Sequence, residues 1–139
     1  MTNPAYIVSA VRTPIGKFGG ALVDLTAAEL GVIAVRESLL RAFGEAPVPR
    51  EPGSRDGAPE RKTPWKVDEL FFGNERAAGV GPNLARQIAW RSGLGDAVPA
   101  CTVNMACASG IRAILFGWQQ IALGEAEIVV AGGVEAMSR

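Results

Sequence analysis

Ala100-Cys101-Thr102-Val103-Asn104-Met105-Ala106-Cys107-Ala108-Ser109-Gly110 carries the chain from a short apolar run into a long helical one. Ala100 to Asn104 reads as a buried strand, and the helix that follows runs to about Leu123, with Gly124 as its stop. The join falls on Cys107. A thiol at a helix N-terminus faces unpaired backbone N–H groups and the positive end of the helix dipole, and both favour thiolate over thiol. Ala106, Ala108, Ser109 and Gly110 are small enough to leave a substrate room to reach the sulfur. Cys107 is therefore the candidate nucleophile. An inert packed thiol and a metal ligand are the competing readings of the same position.

Working outward, the chain alternates between strands and helices. Tyr6 to Val11 reads as a buried strand, and Arg12 to Gly20 as a loop punctuated by glycine and proline. Thr26 and Glu29 have the spacing of a capping box and open a helix that keeps its period to about Phe43. Val67 to Gly73 is a second strand, and Asn83 is placed to cap a helix reaching Leu94. Ala126 to Ala131 is a fourth strand, after the Cys107 helix. A βαβαβαβ order with continuous apolar strands predicts a mainly parallel sheet with right-handed crossovers. Sites in such sheets lie at the carboxyl ends of the strands, where both Cys107 and the segment Gly132 to Arg139 emerge, so the two can be neighbours.

Residues 44–66 change character, with five prolines and nine charged residues in 23 positions. Such a stretch cannot offset its ordering entropy by apolar burial, and it reads as a flexible surface loop inside one domain spanning 1–139. Gly79-Val80-Gly81-Pro82 only begins like a dinucleotide fingerprint; it lacks the third glycine and reads as a turn. In the Cys107 helix, Ile111, Ile114, Leu115, Phe116, Trp118, Ile121 and Leu123 spread around the whole circumference. A helix apolar all round is buried on every side, which predicts a sandwiched helix and an incomplete folding unit. Gly110, Ala113 and Gly117 line one face, where another backbone can come close.

Bulk properties exclude several classes. Fourteen basic and fourteen acidic residues cancel, so no global field draws the chain to nucleic acid or to an acidic membrane surface. No apolar run has the length of a membrane span, and Met1 to Ala5 lacks the pattern of an export signal. Cys101 and Cys107 fit no zinc spacing, so no metal is expected; Cys101 reads as a core thiol, and both suit a reducing cytoplasm. The sequence contains no histidine, the usual base beside a cysteine nucleophile.

Four blocks in order resemble the N-terminal part of the thiolase family. They are Ala10-Val11-Arg12-Thr13-Pro14 with Gly16, Phe18 and Gly19; Gly73-Asn74 with Gly79 and Asn83 to Gln87; Val103-Asn104 with Cys107, Ser109 and Gly110; and Ala131-Gly132-Gly133 with Glu135, Met137 and Ser138. The resemblance implies an incomplete portion of a layered α-β-α-β-α fold with a buried catalytic helix. It implies that Cys107 carries an acyl group between CoA thioesters, in acetyl-CoA condensation or β-ketoacyl-CoA cleavage within fatty acid metabolism, with its own N–H donating to the thioester oxyanion. CoA is then substrate and product, no separate cofactor is needed, and the partners are acyl-CoA, CoA and further copies in a homodimer or homotetramer. Two histidines, an asparagine and a second cysteine are expected in the family's C-terminal half, so a chain of 139 residues alone is expected to be inactive. The residues that grip CoA cannot be assigned. A β-ketoacyl synthase-like condensing enzyme and an inactive structural subunit are the alternatives.

Overall fold

The computed structural model describes residues 2–51, 53, 64–77 and 79–139. Six elements are formed: α1 (Ala27–Phe43), β1 (Glu69–Gly73), α2 (Leu84–Arg91), β2 (Ala100–Val103), α3 (Ser109–Leu123) and β3 (Val129–Gly133). The strands form a parallel sheet in the order β2-β1-β3, with Leu70 opposite Ala100 and Val130. The predicted parallel α/β architecture is present. Because consecutive side chains leave a strand on opposite faces, β1 feeds two cores. Leu70 and Phe72 pack against α1 and α2, whereas Phe71 packs with Val103 and Ala113 of α3.

Local chemistry fixes the helix ends. Thr26 and Glu29 make the full capping box, with each side chain bonded to the other residue's backbone N–H, and Gly44 closes α1 in the left-handed conformation. Asn83 accepts the Arg86 N–H and donates to the Ala100 carbonyl, so the residue that starts α2 also ties it to β2. Arg86 donates to the carbonyls of Gly95 and Val98, and Gln87 to those of Val80 and Pro82, fixing the turns on either side of α2. Gly79 and Gly81 both have positive φ, and the segment is the expected turn ahead of α2. The helix stops at Arg91, three residues short of the Leu94 end expected from sequence, because Gly93 turns the chain at φ 83°.

Two expectations change, and a third is sharpened. Tyr6 to Val11 does not form a strand: Tyr6, Ile7 and Val8 are exposed, and no described strand pairs with them. β-Propensity makes a strand only where a ladder partner lies beside it. Cys101 is exposed rather than in the core. It lies on the α3 side of β2, but β2 is the sheet edge and α3 crosses mainly β1 and β3, leaving Cys101 beyond the helix. Within this chain α3 is buried on one face only. Ser109, Ala113 and Gly117 are buried on the sheet side, while Ile111, Ile114, Leu115, Trp118 and Leu123 face outward, which agrees with the incomplete folding unit expected from the helix's apolar circumference. Of the proline-rich segment, residues 52 and 54–63 lie outside the described residues, so its expected flexibility falls there. Within the same segment, Arg50 donates its N–H to the Arg91 carbonyl and stacks over Trp90.

Candidate active site

Three glycines decide where Cys107 goes. A Cβ on Gly73 would lie 2.4 Å from the Gly110 nitrogen, and one on Gly133 would lie 3.0 Å from the Gly110 Cα. Without side chains at those points, the start of α3 seats directly on the carboxyl ends of β1 and β3. The strand order reverses at β1, with β2 on one side and β3 on the other, and ligands of open α/β sheets bind outside the strand ends at such a point.

The turn from β2 into α3 is held by side chains rather than by a helix cap. Asn104 Oδ1 accepts the Ala106 N–H at 3.1 Å, and Ser109 Oγ accepts the Met105 N–H at 2.9 Å while donating to the Ala106 carbonyl. These bonds keep Ala106 at φ 50°, a region an alanine seldom occupies, and strain of this kind gathers where a side chain must be aimed. Helix α3 begins at Ser109 with Ala108 as its N-cap and no side-chain cap bond. Cys107 therefore stands one residue ahead of the cap, not at the helix join itself, because the left-handed turn at Ala106 delays the helix. Its side chain is exposed, and its backbone N–H has no acceptor among the described residues.

Facing this turn is the loop after β1. Asn104 Nδ2 donates to the Glu75 carbonyl at 2.8 Å, and the Glu135 carboxylate accepts the N–H groups of Glu75 and Arg76 at 2.8 and 3.1 Å. Asn74, which is buried, donates through Nδ2 to the Val134 carbonyl and to Glu135 Oε1. Its Oδ1 is buried with no partner among the described residues. So anchored, the loop brings Glu75 Oε2 to 3.6 Å from Cys107 Sγ. Cys107 and the segment after Gly133 thus share one site, bridged by Glu75, as the strand-end argument anticipates.

Asn74, Glu75, Asn104 and Glu135 have no assigned role in the sequence reading. The local signal for them is that each follows a strand at its carboxyl end; their meeting joins residues about 60 positions apart. Cys101 stays outside the site, its Sγ closest to the Thr102 carbonyl. A concavity lined by Arg86, Gln87, Trp90 and Asp96 contains none of the site residues. Among the described residues no helix is long and apolar enough to cross a membrane.

Fold and site together define a parallel α/β protein that presents an accessible cysteine on a strand–turn–helix at the carboxyl edge of its sheet. Residues 60–139 match the thiolase N-terminal domain family, and the chain belongs to the thiolases. It is 47% identical over 135 residues to a cytosolic acetyl-CoA acetyltransferase of Gibberella zeae, covering 97% of this chain and 30% of that protein. It is 42% identical over 132 residues to an acetyl-CoA acetyltransferase of Cupriavidus necator, covering 95% of this chain and 29% of the other. The crystal structure of the Bacillus anthracis acetyl-CoA acetyltransferase superposes with a TM-score of 0.80 at 38% identity, over 99% of this chain and 30% of that one. The chain thus spans about 30% of the length of these relatives.

Proposed function

We propose that this chain supplies the nucleophile of a thiolase-type acyltransferase acting on acetyl-CoA and related acyl-CoA thioesters. Cys107 Sγ attacks the thioester carbonyl, the bond from that carbon to the CoA sulfur breaks, and the acyl group remains on Cys107 until a second acyl-CoA or CoA takes it. The observation that carries the reading is the exposed Cys107, whose backbone N–H has no acceptor among the described residues. That N–H is available to the oxyanion of the tetrahedral intermediate. The names of the relatives support acetyl-CoA as the donor.

No histidine is present in the sequence, and the chain matches about 30% of its relatives, so the chain by itself does not turn over in this reading. Assembly as a homodimer or homotetramer and a cytoplasmic location belong to the same reading. The relative named as cytosolic supports the second. CoA serves as substrate and product, with no separate cofactor.

Brief incubation of the intact protein carrying this sequence with labelled acetyl-CoA is expected to yield one acetylated peptide, with the label on Cys107. Cys107→Ser is expected to lose it, with at least a thousandfold drop in acyl transfer, as removal of a covalent nucleophile ordinarily gives. Label on Cys101, or full activity in the serine variant, overturns the proposal. A transfer that requires acyl carrier protein in place of CoA would favour the condensing-enzyme alternative.

A further inference from the structure

Glu135 holds three donors at once. It follows Gly133, which seats on Gly110, and the Val134 N–H bonds to the Gly73 carbonyl at 3.0 Å, so its side chain starts from a fixed base. Its half-buried carboxylate accepts Asn74 Nδ2 at 3.1 Å through Oε1, and the N–H groups of Glu75 and Arg76 at 2.8 and 3.1 Å through Oε2. None of these donors is charged, so the carboxylate serves here by its reach and its lone pairs. Asn104 takes the other end of the same loop residue, donating from Nδ2 to the Glu75 carbonyl at 2.8 Å, while its Oδ1 accepts the Ala106 N–H. A continuous chain of bonds thus runs from Glu135 through the Glu75 backbone and Asn104 to the residue before Cys107.

We infer that Glu135 is a positioning residue for the nucleophile. By fixing the loop after β1 it holds Asn104, and through Asn104 the left-handed turn at Ala106 that aims Cys107; the inference rests on Cys107 being the nucleophile. Ala106 at φ 50° sits where an alanine seldom does, and such a turn persists only while its surroundings over-determine it. Ser109 secures it from the helix side, and Asn104 ties it to the loop. Asn104 is itself exposed, so the Glu75 carbonyl rather than packing fixes its side chain. Without Glu135 the N–H groups of Glu75 and Arg76 turn to water, and that carbonyl leaves the place where Asn104 meets it.

Single-turnover acylation of the intact protein by acetyl-CoA, read as acetyl on the Cys107 peptide, tests this. Glu135→Ala is expected to slow acylation roughly a hundredfold, the order that a small misplacement of a reacting group gives. The KM for acetyl-CoA should stay within about twofold, as for a loss felt only in the transition state. Glu135→Gln keeps the length and one acceptor oxygen for the two N–H groups, and should remain within about tenfold of the unaltered protein. Glu135→Asp keeps the charge but falls one carbon short, and should be slower than Glu135→Gln; this ordering carries the test if the alanine variant does not fold. Either slow variant combined with Asn104→Ala should be no slower than Asn104→Ala alone, because that substitution already cuts the link. Glu135→Gln no faster than Glu135→Asp would make the charge, not the reach, the requirement. Defects that multiply in the double variant would mean another route, a slowing matched by an equal rise in KM would mean a binding group, and unaltered rates throughout would mean no role. Each of these overturns the inference while leaving Cys107 as nucleophile. Absence of acetyl on Cys107 in the unaltered protein would instead remove the parent reading and this one with it.

Discussion

On one face of the sheet, Leu70 and Phe72 meet α1 and α2, and their partners include Val35, Leu39, Leu84 and Ile88, all buried. On the other face, α3 touches the same three strands through Gly110, Ala113 and Gly117, and turns Ile114 and Trp118 outward. The difference lies in which side chains face the sheet. Large residues on α1 and α2 fill space and so close a core. Small residues on α3 let its backbone settle onto the strand ends, which sets the position of Cys107 but contributes little buried area. The first face holds the fold together and the second aims the chemistry. Each assignment can be broken separately.

The largest effect is expected on the closed face. Leu70 is fully buried between two helices, and Leu70→Ala should destabilise the chain by about 2–5 kcal/mol, read from urea unfolding. A loss under about 1 kcal/mol would mean that the α1–α2 side is not the stabilising core. Next comes the contact that links β1 to the approach to β3. Asp68 accepts the N–H groups of Glu127 and Ile128 at 2.9 and 3.1 Å, and these bonds hold its carboxyl below the usual carboxylate range. A carboxyl whose folded value is depressed adds stability above its unfolded value and loses it as pH falls through the folded one. Glu29, lowered by its bonds to Thr26, behaves alike at the start of α1. Glu69 runs the other way: burial raises it, so its contribution is present at low pH and fades as pH rises through its folded value. Acidification should therefore lower the unfolding midpoint. Asp68→Ala, at a cost of about 1–3 kcal/mol at neutral pH, should flatten that slope. An unchanged slope would show that the two N–H bonds do not favour the ionised carboxyl.

The closed face was largely readable in the sequence because its determinants are local or periodic. The Thr26–Glu29 box, the Asn83 cap, the glycine stop at Gly44 and the apolar run Leu70–Phe72 each specify their own element. The site was readable only as far as Cys107. That Glu75 would meet it depends on Asn104 and Glu135 clamping a loop from two distant segments, which no spacing rule conveys. The misreadings share one cause. Side-chain type makes Tyr6 to Val11 read as a strand and Cys101 as a core thiol, but their surroundings depend on which strand or helix ends up beside them. The apolar circumference of α3, by contrast, already pointed to an incomplete folding unit, and its outer face is bare within this chain.

The smallest effect tests that last point. Trp118 is 52% exposed on the outer face of α3, and Trp118→Ser should change the stability of this chain by no more than about 0.5 kcal/mol while raising its solubility. Were the indole packed inside the chain, the same truncation would remove a large apolar group from a core and cost about 3–5 kcal/mol. The two outcomes differ by far more than the error of a denaturation midpoint. A near-zero result leaves α3 held to the sheet by its small-residue face alone, the arrangement that Gly73, Gly110 and Gly133 require. A large loss would mean that the outer face carries stability of its own and that the contrast between the two sides of the sheet is weaker than their packing indicates.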